Sequence, residues 1–171
     1  MQIQPDTKSF LSFPYPSNGK DNNGSFDLLK NPQDIDKISE FQKFPALRKY
    51  IDWLNFKTDK YRTYGCDGDW SDGVFWAYIE FSFRDSDTAK RKELYQKMFD
   101  DFEQMVIKEY PPETAILIVR SIIPKMAGIH IRESGQFFGY KIALLVRAQN
   151  PEAADQLLGC FFGFLQETQF P

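Results

Sequence analysis

The chain has a single histidine, His130, and only two cysteines, Cys66 and Cys160, among its 171 residues. One imidazole excludes every multi-histidine metal centre and leaves a lone candidate for an imidazole base. Two cysteines without a C-x-x-C pair supply neither a disulfide framework nor a zinc site, and reduced thiols are expected. No apolar run approaches the roughly 20 residues that cross a bilayer. The opening MQIQPDTKSFLSF lacks the basic stretch and apolar core of a secretory signal, so a soluble, cytoplasmic protein is expected. An excess of basic charge is also missing. With 21 Lys and Arg against 24 Asp and Glu, the net charge is −3 and the pI near 5.2. A nucleic-acid binder would show a basic stripe instead. No P-loop, dinucleotide glycine motif, G-x-S-x-G elbow or internal repeat occurs.

Aromatic residues are what the chain has in quantity: 17 Phe, 8 Tyr and 3 Trp. They carry large buried areas and also enrich contact surfaces, so a heavy core and a binding face are both expected. The length fits one domain, 1–171. Residues 1–31 are rich in Pro, Asn, Ser and Gly and read as an irregular arm. Phe10, Phe13, Tyr15 and Phe26 in that arm predict that it lies against the body. Residues 32–56 read as a helical section. Its first helix starts from Asn31 as cap and Pro32, and the second carries Leu47, Tyr50, Ile51 and Leu54 at helical spacing.

Residues 60–171 read as a core of sheet and helix. Over GVFWAYIEFSFRD, Phe75, Ala77, Ile79, Phe81 and Phe83 share one strand face, and Trp76, Tyr78, Glu80, Ser82 and Arg84 share the other. A long amphipathic helix is expected from a cap at Ser86 or Asp87 to the stop at Pro111 and Pro112. ETAILIVRSIIP, apolar on both faces, reads as a central strand. A hairpin closing around Ser134 and Gly135 follows, and then a helix restarting at Asn150 and Pro151. The fold class is α+β, with an antiparallel or mixed sheet of about four to five strands and two long helices on one face. A ferredoxin-like core is the specific expectation, incomplete because no closing strand follows the last helix.

The stretch YGCDGDWSDG carries three acidic residues among glycines. Counted from Asp67 it departs from a calcium loop: Ser71 stands at the third ligand, Asp72 at the turn glycine and Tyr78 at the bidentate glutamate. We therefore expect no metal and no cofactor there, only an acidic turn presenting Trp70. Indoles dominate many interfaces, which makes Asp67, Asp69, Trp70, Asp72, Trp76 and Tyr78 the candidate contact set for a partner. Arg120 and Arg147 are unexpected in apolar strands and want a partner, for which Glu80 is the natural choice. With His130 and Arg132 they form either an internal ion-pair face or a ligand-holding one.

Two functional classes remain open. One is a non-enzymatic binding protein, by analogy of size and charge an immunity or antitoxin type that neutralises a basic, toxin-like protein partner. The other is a small-ligand binder or enzyme using Glu80, Arg120, Arg147 and His130. Because reaction-bearing motifs are missing, the balance falls against an enzyme.

Overall fold

Two hairpins, one before and one after a run of three helices, supply the long strands. The computed structural model describes residues 1–7, 10–16, 23–168 and 170. In chain order the elements are β1 (Gln4–Pro5), β2 (Ser12–Phe13), α1 (Glu40–Lys43), α2 (Leu47–Asp52), β3 (Tyr61–Ser71), β4 (Val74–Phe83) and α3 (Ser86–Ala89). They continue with α4 (Lys92–Glu109), α5 (Pro112–Ser121), β5 (Ile122–Ile131), β6 (Phe137–Ala148) and α6 (Pro151–Glu167). The six-stranded mixed sheet runs β1-β5-β6-β4-β3, with β2 pairing along the same edge of β5 as β1. Long strands pair antiparallel, whereas β1 and β2 run parallel to β5. The α+β class thus holds.

The two faces of β4 follow its alternation. Phe75, Ala77, Ile79, Phe81 and Phe83 are buried beneath α4 and α6 in the main core. Rings interlock there: Phe99 stacks on Phe161 with centroids 5.2 Å apart, and Phe102 meets Phe161 edge-on at 5.1 Å. Such pairs add about 0.5–1.5 kcal/mol beyond the area they bury. The opposite sheet face holds a smaller cluster, Phe13, Tyr15, Tyr64 and Ile129, contributed partly by the arm. The arm does lie on the body at these residues; its Ser- and Asn-rich stretch at 17–22 is outside the described residues.

Several expectations are corrected. Residues 113–121 are helical, not a central strand; the strand begins only at Ile122. Pro112 at the first helical position needs no N–H partner and Glu113 complements the helix dipole, so the proline pair starts this helix as well as ending α4. Its apolar character on both strand faces reflects Ala115 and Ile118 turned inward and Ile116 and Leu117 left exposed. The long helix expected from Ser86 is interrupted at Arg91, whose φ of −89° and ψ of 89° leave the helical region. Asp85, not Ser86 or Asp87, caps α3, accepting from the Thr88 N–H at 2.7 Å. The segment after Asn31 is a 3-10 turn with no side-chain cap, while Asn150 does cap α6, accepting from the Ala153 N–H at 2.8 Å.

The acidic stretch is the largest surprise. Asp67–Ser71 belongs to β3, and the turn is confined to Asp72 and Gly73. Both have positive φ, 52° and 75°, as a two-residue hairpin turn with the sheet's twist demands. β3 fills the sheet edge beside β4; among the described residues no strand follows α6.

Candidate functional site

Cross-strand register sets out the open sheet face. Asp69 on β3 stands opposite Trp76 on β4, which stands opposite Arg147 on β6. One row further in, Asp67, Tyr78 and Leu145 are aligned in the same way. Directly opposed side chains in an antiparallel pair lie close enough to interact. The Arg147 guanidinium indeed lies over the Trp76 ring, 5.6 Å from its centroid. At the other side Lys43 of α1 donates to Asp69 at 3.2 Å. The row therefore reads cation, carboxylate, indole, cation.

The backbone N–H of Trp70 and the ammonium of Lys43 hold the Asp69 carboxyl below its ordinary value. Burial, with the charges of Glu80 and Asp67 nearby, pushes the Tyr78 phenol up. Trp70 is 53% exposed, its ring edge-on to Phe75 at 5.5 Å. Asp67, Asp69, Trp70, Trp76 and Tyr78 line one shallow depression of about 330 Å³ with Gly68 and Ser71. Five of the six expected contact residues are thus brought together, and the sixth, Asp72, sits in the adjoining turn. Gly68 is needed here because a Cβ would come within 2.9 Å of Phe44, which packs across the strand. Among the described residues no group of three His, Cys, Asp or Glu side chains is placed to hold a metal ion.

Glu80, on the same face, is not paired with an arginine. It is buried with Lys141 of β6, whose ammonium donates to its Oε1 at 2.7 Å. Lys141 also donates to the Tyr15 hydroxyl, which in turn donates to the Glu80 Oε2 at 2.5 Å. Each group satisfies another, as a buried ionic cluster must. Burial lowers the Lys141 value, with Glu80 opposing, while burial and the Glu80 charge raise the Tyr15 phenol. The arm is tied down at a second place. Arg62 sits among the rings of Phe13, Tyr64 and Phe138, each within 5.3 Å, and reaches Asp27 at 3.3 Å.

The remaining candidates are dispersed. Arg120 is exposed on α5 and, with Arg147, lines a separate groove between α5 and α6. His130 lies on β5 beside the arm, its Nδ1 donating to the Gly135 carbonyl at 3.2 Å and its ring edge-on to Phe137. Arg132 is exposed at the end of the same strand, where its backbone N–H donates to the Phe13 carbonyl at 2.8 Å. Glu80, Arg120, His130 and Arg147 consequently do not converge on one site.

Lys141, Arg62 and Asp27 were not expected to matter, and Tyr15 only as an aromatic that lays the arm on the body. A lysine in the apolar run KIALLV was the one local signal, because a charge in a buried strand implies a partner. That partner comes from elements far apart in the chain. Neither a protein-family model, nor a curated sequence, nor a solved structure matches this chain at a significant level.

Proposed function

We propose that the chain is a non-enzymatic protein-binding module whose contact surface is the β3–β4 hairpin tip and the open sheet face beside it. The observation that carries this reading is Trp70, 53% exposed at the tip of the hairpin that presents Asp67, Asp69 and Trp76 on its other face. The half-buried Trp76 indole beside the Asp67 and Asp69 carboxylates suits an arginine or lysine side chain of a partner, and the exposed Trp70 ring, edge-on to Phe75 on the other side of the hairpin, offers a second contact at the tip. The cation would stack on the Trp76 ring while the carboxylates accept its hydrogen bonds. A net charge of −3 favours encounter with a basic protein. An immunity or antitoxin role in the bacterial cytoplasm, neutralising a basic toxin, is the specific form of this reading.

The enzyme or ligand-binding alternative on this face is weaker, because its carboxylate is already engaged. Glu80 is held by Lys141 and Tyr15 beneath the arm.

The test is affinity capture from the native organism, comparing the wild-type chain with the Asp69→Ala, Trp70→Ala double variant. Recovery of a basic protein encoded by a neighbouring gene with wild type, and its loss with the folded variant, is the expected result. Equal recovery with both chains would remove the hairpin tip from the contact surface.

A further inference from the structure

The helix α5 is apolar on two sides and covered on one. Ala115 and Ile118 turn into the core and Val119 is half-buried, while Ile116 and Leu117 are left 52% and 66% exposed. A helix apolar all round is one that is covered all round. Ile107 and Tyr110 at the end of α4 extend the uncovered surface. Four of the nine large apolar side chains exposed among the described residues therefore lie at this one corner. The α5 ridge stands between two troughs. The one toward α4, about 360 Å³, is lined by Ile107 and Ile116; the one toward α6, about 740 Å³, is lined by Tyr110 and Leu117. Contiguous apolar surface of this kind marks a contact site.

Charge identifies the occupant. Glu113, Ile116, Leu117 and Arg120 fall at i, i+3, i+4 and i+7, and all four are exposed on the outward face of α5. Among the described residues neither Glu113 nor Arg120 takes part in an ion pair. At a rise of about 1.5 Å per residue, these two stand about 5 Å on either side of the midpoint between Ile116 and Leu117. A twofold axis through that midpoint runs two copies of α5 antiparallel. It sets Leu117 against Leu117 and Ile116 against Ile116, and it brings Glu113 of each copy opposite Arg120 of the other. The stripe is its own complement in charge and in apolar surface, as an isologous interface requires. An unrelated partner imposes no such symmetry on the sequence.

We propose that the outward face of α5 binds a second copy of this chain, packed antiparallel about a twofold axis between Ile116 and Leu117, with two reciprocal Glu113–Arg120 ion pairs. An interface built on one helix face and its flanking troughs is at the small end of specific contacts. The dimer is accordingly weak, with a dissociation constant on the order of 1–100 μM. The surface shares no residue with the hairpin-tip contact set, so the two readings stand or fall separately.

Sedimentation equilibrium of the full chain between about 1 and 500 μM reads the association. A monomer–dimer equilibrium is expected, with concentration-dependent NMR amide shifts centred on residues 107–120. Leu117→Glu sets like charges on the axis and should keep the chain monomeric over that range. Charge reversal supplies a readout that loss of stability cannot imitate. Glu113→Arg and Arg120→Glu, each alone, should weaken self-association at least about tenfold, because like charges then stand opposite one another. Mixed in equal amounts, the two variant chains should form a heterodimer of about wild-type affinity, since each then meets its opposite. A monomer at every concentration overturns the proposal, as does a dimer that Leu117→Glu leaves intact. So do shifts centred on another surface, a higher oligomer, single charge variants that associate like wild type, or a mixture of them that fails to associate.

Discussion

Lys141 and Glu80 meet 2.7 Å apart beneath the ring of Tyr15, with the ammonium 4.8 Å from the ring centroid. β6 and β4 supply the two charges and the arm supplies the lid. The phenol bridges both partners, accepting from Lys141 and donating to Glu80. Removing one charge leaves the other buried without compensation.

Lys141→Met should therefore destabilise the chain by about 3–5 kcal/mol, the usual cost of orphaning a buried charge. Pairing it with Glu80→Leu should recover most of that loss, since both charges then disappear together. Urea denaturation of the two single variants and the double variant measures the coupling; additive losses would contradict the geometry.

Tyr15→Phe keeps the ring and removes the bridge. A cost of about 1–3 kcal/mol is expected for the acceptor left unsatisfied on Glu80. The same variant should loosen the arm locally. The amides of His130 and Arg132, which donate to the carbonyls of Leu11 and Phe13, should exchange with solvent faster than in wild type.

Alkaline pH should unfold the protein through its tyrosines. Burial raises the phenols of Tyr15, Tyr78 and Tyr95 above their ordinary 10.0 and pushes Tyr64 up to about 12. A folded value above the unfolded one gives stability that is complete below pH 10 and lost as pH rises past it. Each phenol contributes a slope of about 1.4 kcal/mol per pH unit there. Lys141 acts oppositely, because its depressed value makes stability rise with pH up to its ordinary 10.5. Four phenols outweigh one ammonium, so the unfolding midpoint should fall above pH 10, less steeply in Tyr15→Phe.

Gly139 lies against α3 so closely that a Cβ there would come within 2.7 Å of the Ala89 carbonyl carbon and oxygen. Backbone cannot rotate aside as a side chain can. Gly139→Ala should cost about 1–3 kcal/mol by overpacking, read as a lower thermal midpoint.

At the hairpin tip the expectation is the reverse. Asp69→Ala with Trp70→Ala should leave the thermal midpoint nearly unchanged, the edge-on contact with Phe75 being worth about 1 kcal/mol. A large drop would make the tip a structural element instead of a contact surface.

The parts of the fold legible in the sequence are those with a clean period. The alternation from Phe75 to Phe83 and the helical stripe from Leu94 to Val106 each assign their own element, because burial imposes one face per element. β3 has no such stripe. Its glycines and aspartates look like a loop, yet its backbone pairs with β4 through main-chain bonds that ask little of the side chains. ILIVRSII is apolar in any register, so periodicity cannot separate strand from helix there; the proline pair before it was the better guide.

The candidate contact set was legible because Asp67, Asp69, Trp70, Trp76 and Tyr78 lie within one hairpin, where sequence proximity and spatial proximity coincide. The ion pair was not. Glu80 had Arg120 and Arg147 as plausible partners by pattern, and the choice of Lys141 depends on which strand lies beside β4. By itself the sequence determined the α+β class, the acidic balance and the two unlike faces of β4, all of which follow from local composition and period. Tertiary structure alone decided that Tyr15 seals Lys141 against Glu80. Contacts between residues so distant in the chain depend on strand order and arm placement, which no local pattern encodes.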